Sequence, residues 1–418
     1  MPSVSRFALS LYFQIFVFVF SFLPILVIWR KDGKADKFKV FLKFFFFLNS
    51  RLFPLLNLCC SLKQFKMNNS TEVQFNSTSQ GCSAMASIMF TSTLSVISVA
   101  ALIGNILVVV TFVKTPSLRI STNYYIVNMA ASDLLAILFN WPLYVTEGML
   151  TPKVFTSGSS ASSACKLGMY LKAVSHLVSV LSLVLIALDR FVAIVFPLKR
   201  IIMKVKIRVI FLSLTWLIAV SYGLPQAIFT DIIKVGRQTF CRFMMSDGPR
   251  TIFNGVGFIL FYLFPLIMII ILYSAILRSL KKRTKPGELL QGHEGTKRQQ
   301  QNQKIVKIMI SIVVAFFICW TPLSVYLFLK KLYPSLFIKD RCLLLVGLTF
   351  YVFPSLSTAV NPIILFVFST NYNRALKNVW SSVFSTCKCA FTAKRARQEQ
   401  VMATQEVNLE LTNTKLLD

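Results

Sequence analysis

The sequence predicts an all-α membrane protein: a seven-transmembrane helix bundle followed by an amphipathic cytoplasmic helix, the eighth. Three observations carry that expectation. The chain of 418 residues is 55% hydrophobic but only 14% charged, and its mean hydropathy of +0.66 belongs to membrane proteins. Its apolar residues fall in runs long enough to cross a hydrocarbon layer, which takes about 20 residues of helix. Finally, Asp189-Arg190-Phe191 stands where the apolar run 167–188 approaches the basic stretch Pro197-Leu198-Lys199-Arg200. An arginine at a membrane lip is costly to desolvate, so it either lines a functional cavity or snorkels to the interface.

The formal charge of +30 would point to nucleic acid in a soluble basic protein. Here the Lys and Arg residues stand between apolar runs, so anionic lipid headgroups are the expected partner and nucleic acid is not. Nine cysteines and two histidines form no Cys-x-x-Cys repeat with a histidine cluster, so no structural metal site is expected from them.

Residues 1–66 read unlike the rest, as two Phe-rich runs (Phe7 to Trp29 and Phe38 to Cys60) around the charged stretch 30–37. Their length admits two extra spans. The alternative, favoured by the low-complexity run Phe44-Phe45-Phe46-Phe47, is an atypical extension with Met67 as the true start. Residues 67–84 then form a short polar tail with glycosylation sequons at Asn68, Asn69 and Asn76.

Seven spans are expected at residues 85–113, 122–147, 165–195, 207–229, 253–277, 305–329 and 341–368, one membrane domain over 85–368. Basic residues are denser in the loops around 114–119, 199–208 and 278–307 than on the other side, which places those loops in the cytoplasm and the tail outside. The stretch from Arg278 to Lys304, with Pro286-Gly287 and Gln299-Gln300-Gln301, reads as a hydrophilic third inner loop. Residues 369–386 repeat Tyr372, Leu376, Val379, Trp380 and Val383 at helical spacing, flanked by Arg374 and Lys377, the pattern of an interfacial helix. Cys387 and Cys389 open the cytoplasmic tail, 387–418, as candidate palmitoylation sites or free thiols.

Several motifs then fall in register. Gly104-Asn105 lies in span one, Met129-Ala130-Ala131-Ser132-Asp133 in span two, Asp189-Arg190-Phe191 in span three and Trp216 in span four. Phe264-Pro265 with Tyr273 lies in span five, Phe316 and Cys319-Trp320-Thr321-Pro322 in span six, and Asn361-Pro362 in span seven. With these residues the chain resembles a rhodopsin-like (class A) G protein-coupled receptor, and neuropeptide receptors in particular.

That resemblance implies a multi-pass plasma-membrane receptor, extracellular at its N-terminus, that couples to a heterotrimeric G protein and is served by arrestin and a receptor kinase. It implies no enzymatic activity. Within spans an enzyme would need paired carboxylates or a Ser/His pair, and His176 stands alone there as a packing or ligand-contact residue. A transporter or channel would need inverted repeats, broken helices or a ring of pore charges, none of which is visible.

The resemblance also assigns roles. Asp133, with Ser179 and Asn361, matches a sodium site; Ser357, where the family commonly has Asn, departs from it. The alternative is Asp133 hydrogen-bonded to Asn105 and Asn361. Pro265, Pro322 and Pro362 each remove a backbone hydrogen bond and kink a helix. In the family the segment below Pro322 swings outward to admit the G protein, and Trp320 beside Phe316 couples ligand contact to that swing. Cys165 and Cys241 match the family's outer disulfide; Cys82 and Cys342 could form a second, with two free thiols as the alternative.

For the ligand, the position where amine receptors carry Asp is Lys172, and the retinal lysine of opsins corresponds to Ser355. Lys172 and basic outer residues such as Arg242 favour an anionic group on the ligand, although Lys172 could equally snorkel or pair with Glu147. His176 and Trp320 complete the expected ligand contacts. Residues 232–243 read as a hairpin about Gly236, which favours a peptide. The alternative is a small anionic ligand: a lipid acid, another carboxylate or a nucleotide. At the cytoplasmic end Arg190 is expected to pair with Asp189 at rest under light restraint, because Asn302 stands where an acidic partner is common and Leu365 where a tyrosine follows Asn-Pro.

Overall fold

The computed structural model describes residues 77–148, 159–196, 205–235, 238–282, 293–332 and 341–381. Seven long helices run in sequence: α1 (Ser77–Lys114), α2 (Ser121–Gly148), α3 (Ser159–Val195), α4 (Val205–Phe229), α5, α6 (His293–Leu332) and α7 (Arg341–Phe368). Helix α5 is built from Asp247–Phe258, a π-helical turn at Ile259–Leu263 and Phe264–Lys282. A final helix, α8 (Thr370–Ser381), leaves α7 at 92°. Between α4 and α5 lies the antiparallel hairpin β1 (Thr230–Val235) and β2 (Gln238–Phe243). The residues of the expected turn about Gly236 fall outside the described ones, as do the three sequons, Cys387 and Cys389, residues 1–66, and the side chains of Cys82, Cys342 and Glu147.

Several helices begin or end beyond the apolar runs, as α1, α3, α5 and α6 do, because a helix continues until its backbone can be capped or solvated, not until hydropathy drops. The tail expected over 67–84 is helical from Ser77, and the third inner loop is shorter than 278–304: α5 continues to Lys282 and α6 starts at His293. Among the described residues, five stretches are long and apolar enough to cross a membrane, or six if the bent pair Val352–Phe368 and Thr370–Ser381 is one span.

Helix α3 is the axis of the bundle, packed against α2, α4, α5 and α6, while α7 joins α6 to α1. Burial separates the central helices from the peripheral ones: 67% of the apolar window of α6 is buried, against 17% for α4. Exposed Val209, Ile210, Leu217 and Ile228 on α4, and Ile267, Ile270 and Ile271 on α5, therefore face lipid. The interior reverses the soluble pattern, with Asn105, Ser132, Asp133, Ser179 and Asn361 buried among the apolar residues. Trp216 Nε1 donates to Asn128 Oδ1 at 2.8 Å and Asn128 Nδ2 to Ser182 Oγ at 3.0 Å, tying α4 to α2 and α3.

Gly104 lets α1 and α7 approach, since a Cβ there would lie 2.7 Å from the Pro362 ring. Pro362 has no N–H to give the carbonyl of Thr358. Asn105 Nδ2 supplies it instead, reaching Thr358 O at 3.0 Å and Ala101 O at 2.8 Å. Asn105 Nδ2 is thus committed to backbone carbonyls, which counts against the alternative in which Asn105 bonds Asp133. Beyond the expected prolines, Pro142, Pro225 and Pro354 also lie inside helices.

Candidate functional site

A cavity of about 60 Å³ opens among α1, α2, α3, α6 and α7, lined in part by Asn140, Trp141, Lys172, His176, Trp320 and Ser355. It holds space for several waters or one small group. Lys172 and His176 are one turn apart on α3, so they share a face. His176 lies against Trp320 with ring centroids 3.7 Å apart and stacks on Phe316 at 5.8 Å. The wall of the cavity is therefore in direct contact with the helix that Pro322 interrupts. His176 Nδ1 and Trp320 Nε1 are buried without hydrogen-bond partners.

The same cavity reaches down to Asp133, Ser179 and Ser357. Asp133 is 3% exposed; its Oδ1 accepts from Ser179 Oγ at 3.3 Å and Ser175 Oγ at 3.5 Å. The Asn361 side chain stands at hydrogen-bonding range of the carboxylate, while Asp133 Oδ2 and Asn361 Oδ1 have no donor in good geometry. Ser357 turns back to Pro354 O at 2.6 Å. Two bare acceptor oxygens beside serine hydroxyls form a donor set suited to a hard cation. The structure thus joins two groups that the sequence reading kept apart, the ligand residues Lys172, His176 and Trp320 and the cation residues Asp133 and Ser179, along one passage.

Arg242 is not among the lining residues. It is exposed on β2, opposite Asp231. The hairpin is pinned over the cavity's end of the bundle by the Cys165–Cys241 disulfide and by Asp231, which accepts from Ser162 Oγ and its neighbouring Ile232 N–H, both at 2.7 Å. Lys166 Nζ stands 3.8 Å from the same carboxylate. The hydrogen bond from Ser162, then that from Ile232, and Lys166 as well hold the Asp231 carboxyl below its ordinary 3.8.

At the opposite end Arg190 pairs with Asp189, Nε at 3.0 Å and Nη2 at 2.5 Å from Oδ2. Both are buried. Asp189 also accepts from Thr122 Oγ1 at 2.9 Å and Ser121 Oγ at 2.6 Å. The light restraint expected of this pair is corrected: two hydroxyls at the start of α2 replace the missing acidic partner near Asn302. Tyr273 lies within reach of the Arg190 charge, with its hydroxyl buried and unpartnered, and Leu365 is buried as an apolar residue of α7.

Other residues that sequence reasoning missed are Asn140, Trp141, Ser175 and Pro354 in the cavity wall, and Tyr262. Tyr262 sits in the π-helical turn of α5 and shares a 2.6 Å hydrogen bond with Thr321, between Trp320 and Pro322 on α6. The π turn shifts the register of α5, and only that shift could have signalled the pairing.

Comparison with known proteins matches this arrangement. Residues 104–365 fit the profile described as 7 transmembrane receptor (rhodopsin family). The neuromedin-K receptor of Rattus norvegicus is 28% identical over 283 residues, 67% of this chain and 60% of that receptor. The neuropeptide FF receptor 2 of Mus musculus is 28% identical over 327 residues, 72% of this chain and 73% of the receptor. The allatostatin-A receptor of Bombyx mori is 26% identical over 289 residues, 68% of this chain and 77% of the receptor. The match thus spans 60% of the length of the neuromedin-K receptor.

Proposed function

Starting from the fact that the chain belongs to the rhodopsin family of seven-transmembrane receptors, we propose that it is a plasma-membrane G protein-coupled receptor for an extracellular peptide. One of the relatives, the neuropeptide FF receptor 2, is a neuropeptide receptor by name, and the β1–β2 hairpin suits a peptide lid. The observation that carries the reading is the His176–Trp320 contact at 3.7 Å. It couples a ligand in the cavity to the helix hinged at Pro322. A ligand that displaces Trp320 shifts the population toward a state in which α6 moves outward, Arg190 leaves Asp189 and a heterotrimeric G protein docks.

In this reading the receptor has an extracellular N-terminus, and arrestin and a receptor kinase act on its cytoplasmic side. Basic residues such as Arg374 and Lys377 meet anionic lipid there. It signals without catalysing a reaction. Asp133, Ser179 and Asn361 would hold an allosteric sodium ion, supported by the two unpartnered acceptor oxygens; when bound, the ion supplies a positive charge that favours the resting packing.

The test is a peptide library applied to cells expressing the receptor with chimeric G proteins. Second-messenger responses that vanish in Trp320→Ala at matched surface expression support the proposal. Membrane current without any second-messenger change would count against it. A response confined to small carboxylates and nucleotides would favour the anionic small-ligand alternative, which Lys172 alone supports.

A further inference from the structure

Arg208 stands in the first turn of α4, where a cation opposes the helix dipole, and it is half-buried rather than extended into solvent. An arginine that only anchored α4 at the membrane surface would snorkel toward the lipid headgroups. This one turns onto α2. Its guanidinium carbon lies 4.9 Å from the centroid of the Tyr124 ring, which in turn meets Phe112 of α1 edge-on at 5.1 Å. The next residue, Tyr125, is fully buried. Thr122 and Ser121 stand three and four residues before it on α2, so the three side chains share a face, and that face holds the Asp189 carboxylate. The Tyr125 hydroxyl is within electrostatic reach of Asp189, Arg208 and Arg190, and at hydrogen-bonding range of the Arg208 guanidinium. Neither that hydroxyl nor Arg208 Nε has a partner in good geometry. The link from Arg208 to Asp189 is therefore poised rather than closed while Arg190 occupies Oδ2.

We infer that Arg208 is a positioning residue of the coupling switch: acting through the Tyr125 hydroxyl, it is the second cation of Asp189 and takes over the carboxylate when Arg190 leaves to meet the G protein. The inference rests on the reading of the chain as a G protein-coupled receptor and deepens it. A buried carboxylate stripped of its cation is strongly destabilised, and the hydroxyls of Ser121 and Thr122 carry no charge to replace the guanidinium. Once Arg190 vacates Oδ2, the Tyr125 hydroxyl donates to it while accepting from Arg208, which restores a charge-assisted chain of hydrogen bonds from α4 across α2 to α3. Arg208 thus favours the state in which Arg190 is released.

The experiment is a double-mutant cycle on the purified full-length receptor, with Arg208→Gln and Asp189→Asn made singly and together. Nanodiscs of neutral lipid remove the attraction of anionic headgroups for a snorkelling arginine. The readouts are agonist-independent nucleotide exchange on an added panel of heterotrimeric G proteins, and Tm. With Asp189 intact, Arg208→Gln is expected to lower exchange about 3- to 10-fold, the share of one charge-assisted hydrogen bond that differs between the states. In the Asp189→Asn background the same change has little further effect. Tyr125→Phe, which keeps the ring, reproduces the loss and carries the comparison where Arg208→Gln expresses poorly, and Arg208→Lys, which keeps the charge, recovers part of it. The Tm cycle needs no G protein: because the two charges attract in the resting state as well, Arg208→Gln lowers Tm more with Asp189 present than in the Asp189→Asn background. Equal effects in the two backgrounds mean that Arg208 merely anchors α4 and overturn the inference, as does a rise of exchange in Arg208→Gln. Exchange at the receptor-free rate in wild type and every variant counts against the receptor reading, and the Tm cycle then decides by itself whether Arg208 acts on Asp189.

Discussion

Thr122 and Arg190 hold the same oxygen, Asp189 Oδ2, at 2.9 Å from the Thr122 hydroxyl and 2.5 Å from the guanidinium. With Ser121 on Oδ1, the carboxylate is fully occupied, and α2 takes part in holding Arg190 at rest. The hydroxyls orient Asp189 toward Arg190, so removing them loosens the pair without touching either charge.

Thr122→Val with Ser121→Ala is therefore expected to raise basal nucleotide exchange. Hydrogen bonds to a charged group contribute about 1.5–3 kcal/mol each, and only part of that discriminates between states, so a rise of about 3- to 10-fold is reasonable. Basal exchange at matched surface expression is the measurement, and wild-type levels would show that Arg190 alone sets the resting state.

The Tyr262–Thr321 hydrogen bond spans α5 and α6 directly beside Pro322. Thr321 Oγ1 also lies 2.6 Å from Phe317 O, so the link bears on the turn that the proline weakens. Tyr262→Phe keeps the ring contact with Phe317 at 5.6 Å and deletes the hydroxyl. It should lower the stability of the resting receptor by about 1 kcal/mol and increase basal signalling modestly. A Tm and basal rate both equal to wild type would remove the link from the mechanism.

At the crossing of α1 and α7, Gly104→Ala would drive a Cβ to 2.7 Å from Pro362 Cγ and 3.0 Å from its Cβ. A proline ring has no rotamer into which to retreat, so the helices must separate, at about 1–3 kcal/mol. The separation also strains the Asn105–Thr358 bond. Reduced surface expression and Tm are expected, whereas Gly248→Ala, with nothing within 4 Å, should change neither.

Outside the membrane, the depressed pKa of Asp231 fixes the sign of a pH effect. Its folded-state value lies below the unfolded one, so its contribution is present above the unfolded pKa, near 3.8, and is lost as pH falls through the folded value. The Tm difference between wild type and Asp231→Ala should thus be constant well above 3.8 and shrink as pH falls from there through the lower folded-state value. A difference that persists unchanged in acid would mean that Asp231 does not tether the hairpin through its charge.

The helix count, the order of elements and the hairpin were legible because each depends on local patterns: apolar runs, proline and a turn glycine. Asp133, Asp189, Arg190 and Trp320 were legible because they stand at fixed distances from those patterns. What could not be read were contacts made across the bundle. Ser121 and Thr122 look like ordinary helix-start residues, Tyr262 like one more aromatic on a lipid-facing helix, and Asn105 like a partner for Asp133 until Pro362 is seen to leave a carbonyl for it. The union of the Lys172 and Asp133 levels in one cavity depends on side-chain volumes from five helices, which no spacing rule encodes.

Leu365 presents the reverse case, a sequence departure whose structural consequence is visible at a neighbouring group. Tyr273 lies near the Arg190 charge with its hydroxyl buried and unpaired, while Leu365 fills the position of the family's tyrosine with an apolar side chain, 2% exposed. A resting receptor tolerates this because the active arrangement, not the resting one, uses a water-linked bond between the two tyrosines in the family. Leu365→Tyr is accordingly expected to raise maximal agonist response by stabilising the active state by about 1 kcal/mol, the net value of one hydrogen bond, or about fivefold in the conformational equilibrium. The larger ring also crowds the core, so total expression falls while response per surface receptor rises. The double variant Tyr273→Phe with Leu365→Tyr separates the two effects: crowding persists, and the gain disappears. If the gain survives without the Tyr273 hydroxyl, the added tyrosine acts by packing and the proposed bond is wrong.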